Sequence, residues 1–206
     1  MTGYPVPVPT PDAPHREEML IKRSRFLISL ARAASPDEAK VFVERIRREF
    51  PDATHNCWAF AAGRPGDTGR AGFSDDGEPH GTAGRPMLTI LLHGGIGEIA
   101  AVVTRYFGGI KLGTGGLVRA YQDMVRLGLQ NLPVCEHMVP AALRVTVNYS
   151  HISPLLRILP RYRGTIGSEE FGVDASYTVL LPEEETAAFS AELMNITDGT
   201  AVILTD

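Results

Sequence analysis

Only two of the 206 residues are cysteine, Cys57 and Cys135, which lie 78 positions apart. That scarcity excludes a disulfide framework and a four-thiolate zinc site, so both thiols are expected to be reduced. Charged residues make up 21% of the chain and hydrophobic residues 44%, a balance that excludes intrinsic disorder, collagen and coiled coil. No apolar run approaches the roughly 18 residues of a membrane helix. The stretch Met1-Thr-Gly-Tyr-Pro-Val-Pro-Val-Pro9 lacks the apolar core of a secretory signal, so a cytoplasmic location with no membrane contact is expected. A basic excess is missing as well. Residues 1–139 carry 16 Lys and Arg against 15 Asp and Glu, whereas residues 140–206 carry 4 against 9, and the whole chain has a net charge of −4. Without surplus cations to neutralise phosphates over the surface, any nucleic-acid contact has to be local.

What the chain does have is enough length for two small cores. Five prolines fall within the first 14 residues, a density that predicts an extended tail in place of a packed element. Alternation over Lys22–Ala33 predicts a strand. Ser35 with Glu38 three residues later and Pro36 between them marks a helix start, and Ala39, Phe42, Val43, Ile46 and Phe50 follow at helical spacing until Pro51. A second strand is expected over Thr54–Gly63, a short helix over Met87–Leu92, and a buried central strand over Ile99–Phe107. After the glycine-rich loop, Leu117, Tyr121, Met124, Val125 and Leu132 share one face of a helix that ends near Pro133. Beyond Pro140 the pattern restarts as β-α-β-β-α-β, which predicts a ferredoxin-like second domain behind a boundary at Pro133–Pro140.

Three polar clusters can carry chemistry. In His55-Asn56-Cys57, alternation sends His55 and Cys57 to one face. Even with His80 added, this fits no common zinc spacing, so a core thiol beside a structural or binding histidine is expected. The loop Ser74-Asp75-Asp76-Gly77-Glu78-Pro79-His80 places three carboxylates within four residues. It fits a hard-cation site, a general acid or base, or a solvated turn, but it does not meet the calcium-loop template. In Thr104–Arg119, Gly108 and Gly113 have P-loop spacing, yet Thr114 stands where that motif needs lysine. Backbone N–H groups at a helix start, with Arg105, Lys111 and Arg119 nearby, suit a phosphate or carboxylate; a tight strand-to-helix turn explains the glycines equally well. No Ser-His-Asp or catalytic cysteine setting is recognisable.

The stretches Lys22-Arg-Ser-Arg-Phe26, Thr54-His-Asn-Cys57, Ser74-Asp-Asp-Gly-Glu-Pro79, Gly81-Thr-Ala-Gly84, Pro86-Met-Leu88, Val103–Gly113 and Gly115–Tyr121 closely resemble the YigZ/IMPACT family. The resemblance covers residues 20–131 strongly, and residues 140–206 are similar in pattern to the family's bacterial second domain. It implies an α+β chain: a Pro-rich tail (1–19), an N-terminal domain like ribosomal protein S5 domain 2 (20–135), and a C-terminal ferredoxin-like βαββαβ domain like translocation-factor domain V (140–206). In eukaryotic relatives the family domain acts in translational control by binding a large regulatory protein on the ribosome. For bacterial members the resemblance implies no settled reaction; the reading favoured is a binding protein linked to regulation of translation through RNA, ribosome or protein contacts, with catalysis left open and no cofactor, metal or catalytic residue assigned. The competing expectation is a hydrolase or kinase-like enzyme acting on a phosphorylated small molecule, with Asp75, Asp76 or Glu78 as base or metal ligand. The binding set expected is Arg25, His55, Asn56, Asp75, Asp76, Glu78, Arg105, Gly108, Gly109, Lys111, Gly113, Gly115, Gly116 and Arg119.

Overall fold

The computed structural model describes residues 3–137 and 140–205. Two compact units emerge, one spanning Tyr4–His137 and the other containing residues 140–205. The first holds strands β1 (Tyr4–Pro7), β2 (His15–Ile21) and β3 (Ser24–Arg32), helix α1 (Pro36–Glu49), strands β4 (His55–Ala61) and β5 (Ala71–Ser74), helix α2 (Gly84–His93), strand β6 (Ile99–Tyr106), helix α3 (Thr114–Asn131) and strand β7 (Val134–His137). Five of these strands make an antiparallel sheet in the order β2-β3-β6-β4-β5.

β6 lies in the middle of that sheet and is buried from Ile99 to Arg105, as its uninterrupted apolar run requires of a strand covered on both faces. On one face α1 packs Ala39, Phe42, Val43 and Ile46 against Ala31, Phe60, Ala100 and Val102. On the other, α2 and α3 place Met87, Leu91, Leu117, Tyr121 and Met124 against Phe26, Ile28, Cys57, Ala101 and Val103. α1 begins as its sequence demands: the Ser35 hydroxyl accepts from the Glu38 N–H, and the Glu38 carboxylate accepts from the Ala34 N–H, a reciprocal cap.

The proline-rich start is not a tail, and here the sequence expectation is corrected. β1 pairs antiparallel with β7 in a separate two-stranded sheet, and β2 begins at His15 as an edge strand of the main sheet. Proline is compatible with β1 because a ribbon of two strands consists only of edges, where a missing N–H breaks no central ladder. Val6 is fully buried, the Tyr4 hydroxyl donates to Glu98 Oε1 at 2.8 Å, and the Pro5 carbonyl accepts from the Gly97 N–H at 2.9 Å. Burial together with the Glu98 carboxylate pushes the Tyr4 hydroxyl up to about 12.

The second unit contains β8 (Pro140–Val147), α4 (Ile152–Ile158), β9 (Thr165–Phe171), β10 (Ala175–Pro182), α5 (Thr186–Ile196) and β11 (Val202–Thr205). Its antiparallel sheet has the order β11-β8-β10-β9. Leu143, Val145, Tyr177 and Val179 from the sheet meet Leu155, Ile158, Phe189 and Leu193 from the helices in a separate core. Among the described residues no helix is long and apolar enough to cross a membrane.

Because β1 buries Val6 and fills hydrogen bonds of Glu98 and Gly97, deleting residues 1–9 should destabilise the first unit by about 2–3 kcal/mol. Thermal unfolding followed by the fluorescence of Trp58, the chain's single tryptophan, checks this. A loosely attached tail would leave the transition unchanged.

Candidate functional site

The buried end of β6 builds the site. Register pairs Arg105 with Phe26 of β3 on one side and His55 of β4 on the other, and the two-residue period aims its guanidinium at the α2–α3 side with Val103. Arg105 is 5% exposed and Glu78 is 8% exposed. Arg105 Nη1 donates to Glu78 Oε1 at 2.5 Å, and the Tyr121 hydroxyl donates to the same oxygen at 2.8 Å. The guanidinium carbon lies 5.3 Å from the Phe26 ring centre and 5.5 Å from that of Phe107, so two aromatic faces solvate a charge that water barely reaches.

The acidic loop between β5 and α2 is mostly occupied with its own backbone. Asp75 accepts from the N–H groups of Gly81, Ala83 and Gly84, which caps the start of α2 where no neighbouring side chain does so. Burial by itself raises the Asp75 carboxyl, but the N–H donors of Gly81, Gly84 and Ala83 outweigh burial and hold it below the ordinary carboxylate range. Asp76 accepts from the Asn56 N–H and from Arg47. Its backbone is left-handed (φ 45°), as is that of Gly77 (φ 86°), and the turn presents the Asp76 carbonyl to His55 Nδ1 at 2.8 Å. A carbonyl can only accept, so Nδ1 carries the proton, and in the neutral ring Nε2 is an acceptor. That Nε2 stands 3.9 Å from Glu78 Oε2.

Beside this group opens a cavity of about 440 Å³, walled by Thr54, His55, Glu78, Pro79, Arg105, Phe107, Lys111, Leu112, Gly113, Thr114 and Leu117. It brings together His55, Glu78, Arg105, Lys111 and Gly113 from the binding set read in the sequence. The others fall elsewhere. Arg25 is exposed, forms an ion pair with Glu18 and lies over the Tyr106 ring. Asn56 is buried between Thr104 and the Phe50 carbonyl. The carboxylates of Asp75 and Asp76 stand outside the cavity wall and accept from backbone N–H groups and from Arg47. Arg105 is not a free cation, because Glu78 pairs it. Arg119 borders a second depression with Lys22, Leu112 and Gly116. Gly108 serves close approach: a Cβ there would sit 1.9 Å from the Arg23 carbonyl oxygen, so only glycine lets the loop close on the β2–β3 turn. Gly109 and Gly113 take positive φ, and Gly115 and Gly116 lie within the first turn of α3.

Cys57 is fully buried, with Sγ 2.9 Å from the Asp75 carbonyl and 3.3 Å from the Tyr121 hydroxyl. Burial pushes this thiol up, and the nearby carboxylates add to the effect, so it is not a thiolate nucleophile. His80 projects fully into solvent. Among the described residues no group of three or more His, Cys, Asp and Glu is arranged to hold a metal. Sequence reasoning missed the apolar wall of Phe107, Leu112 and Leu117 and the cations Lys22 and Arg23. Phe107 carries a signal as an aromatic residue between a buried strand and a glycine pair, and Lys22 and Arg23 stand in the stretch Lys22-Arg-Ser-Arg-Phe26.

Residues 22–129 match the model of the Impact N-terminal domain, and residues 145–200 match a domain of unknown function, DUF1949. The chain is 42% identical over 194 residues to the IMPACT family member YigZ of Escherichia coli K12, covering 94% of this chain and 95% of that protein. It is 32% identical over 107 residues to Protein IMPACT of Xenopus laevis, covering 50% of this chain and 33% of that one. A crystal structure of a hypothetical protein, 39% identical, superposes with a TM-score of 0.71 and covers 100% of this chain and 98% of the other.

Two outcomes follow from this geometry. Glu78→Ala leaves Arg105 charged and unpaired in the interior, so it should destabilise the first unit by about 3–5 kcal/mol, whereas adding Arg105→Met should recover most of that loss. Urea unfolding monitored at Trp58 measures both. For Asp75, the folded carboxyl titrates below its unfolded value. Its stabilising effect is therefore complete above the ordinary aspartate range and is lost as pH falls through the lowered folded value. Asp75→Asn should cost about 1–2 kcal/mol at pH 7, and the gap to the parent chain should shrink steadily on acidification. A gap that is constant with pH contradicts the charged cap.

Proposed function

The chain belongs to the IMPACT family, and from that premise we propose that it is a cytoplasmic binding protein linked to regulation of translation, acting through contact with RNA. We further assign the first unit to the ribosomal protein S5 domain 2-like fold and the second to the ferredoxin-like fold. The sheet order β11-β8-β10-β9 supports the second assignment, since numbering those strands within the unit gives 4-1-3-2.

One observation carries the RNA reading. Lys22, Arg23, Lys111 and Arg119 are exposed, and none of them enters an ion pair among the described residues, in a unit where Arg16, Arg25, Arg32, Lys40, Arg45, Arg47, Arg105 and Arg126 are paired. They gather around one loop. Lys22 and Arg119 border the same depression as Leu112, and the Arg23 carbonyl sits against Gly108. Phe107 and Ile110 are exposed in the middle of this rim, 46% and 40%. Unpaired cations around exposed apolar and aromatic groups suit an unpaired strand, whose phosphates meet the cations while its bases stack. The rim accounts for a local contact in a chain with no basic excess.

If four phosphates are neutralised, log K for a single-stranded ribosomal RNA fragment should fall with log salt at a slope of about −3. Arg23→Ala and Arg119→Ala should each flatten that slope by about 0.7. Filter binding across a salt series reads both. Absence of binding, or slopes unchanged in both variants, rejects RNA as the partner.

A further inference from the structure

We propose that the cavity beside Arg105 takes a single unpaired nucleotide and prefers guanine. The inference rests on the RNA reading only for the origin of that nucleotide; the pocket is argued from its own walls.

The cavity is polar at one end and apolar along its side. At the polar end stands the N-terminus of α3, an 18-residue helix whose N-cap is Gly113. Among the described residues no side chain caps it, and no acidic residue occupies its first turn. Its first N–H groups are therefore open to an anion. A helix start alone specifies nothing, but the same wall also carries a buried guanidinium. Arg105, part of the cavity wall and 5% exposed, keeps a buried Nε–H with no acceptor among the described residues. Lys111, exposed on the same wall, adds a free ammonium. A phosphate at this end meets donors from the helix and from Lys111.

Along the side, Phe107, Leu112, Leu117 and Pro79 present apolar surface, and Phe107 is open enough to stack a planar ring. A volume of about 440 Å³ lies within the usual range for small-molecule sites. The remaining polar atoms decide which ring. His55 Nε2 is an acceptor in the neutral ring, because Nδ1 donates to the Asp76 carbonyl. Glu78 Oε2 is an acceptor because Arg105 and Tyr121 take up only Oε1. These two acceptors stand 3.9 Å apart. Guanine carries two adjacent donors, N1–H and the exocyclic N2 amine, whereas uracil offers one N–H between two carbonyls, which would face Glu78 unfavourably.

Calorimetric or NMR titration of the full chain with GMP, UMP, guanosine and inorganic phosphate tests this. GMP should bind about tenfold tighter than UMP, and guanosine should bind about fivefold weaker than GMP. Phe107→Ala should weaken GMP about tenfold, with Phe107→Tyr restoring it. Phe107 also covers the Arg105 guanidinium, so folding of both variants is checked by the Trp58 transition. Failure to bind GMP at about 10 mM, equal affinity for GMP and UMP, phosphate binding as tightly as GMP, or an unaltered Phe107→Ala chain each overturns the proposal. The RNA titration is read separately. RNA binding without GMP binding keeps the RNA reading and removes this one, while GMP binding without RNA binding keeps the pocket and removes the RNA reading.

Discussion

The ion pair between Arg105 and Glu78 is the constraint around which the first unit is arranged. Moving two opposite charges out of water costs several kcal/mol per ion unless geometry and further hydrogen bonds offset it. Here the offset comes from three separate parts of the fold. β6 supplies the arginine, the loop before α2 supplies the carboxylate, and α3 supplies the Tyr121 hydroxyl. Phe26 and Phe107 enclose the guanidinium from β3 and from the loop after β6. A shift in any of these elements would leave a buried charge unmatched, so the pair specifies the register in which they meet.

That specification explains why a loop with three carboxylates is not an acidic patch. Asp75 is consumed by backbone donors, Asp76 by Asn56 and Arg47, and the Oε1 of Glu78 by Arg105 and Tyr121. Each carboxylate fixes a different neighbour. The backbone carbonyl of Asp76 in the same loop holds His55 by its Nδ1, and His55 lines the cavity. The unpaired positive charge of the region is displaced outward, to the turn at Lys22–Arg23 and the loop at Lys111. The interior is thereby electrically balanced while its rim is not.

Much of this fold was legible in the sequence, and the exceptions share a cause. α1, β6 and α3 announce themselves through periodicity and capping, because their signals are local and their burial is strong. Five prolines argue against a packed strand at β1, and nothing nearby in sequence reveals that residues 134–137 complete it. The site was half legible for the same reason. His55, Glu78 and Arg105 stand out by residue type, but charge patterns do not say which carboxylate neutralises which cation. Asp75 and Asp76 looked like chemistry because an aspartate that caps a helix and one that serves a ligand have the same letter. Only the N–H groups around them, set by the folded backbone, distinguish the two.

The pairing of β1 with β7 joins Tyr4 to His137, so the earliest and latest strands of the first unit are partners. A chain synthesised from its N-terminus must therefore carry β1 unpartnered until the whole unit has emerged. At about 5–20 residues per second, that interval is roughly 7–26 s, during which Val6 and the proline-flanked strand are exposed to solvent. Two prolines in a four-residue strand, each lacking the N–H that a foreign strand would bond, make β1 a poor template for intermolecular pairing. The composition that disguises the strand in the sequence also protects the nascent chain while it waits for its partner.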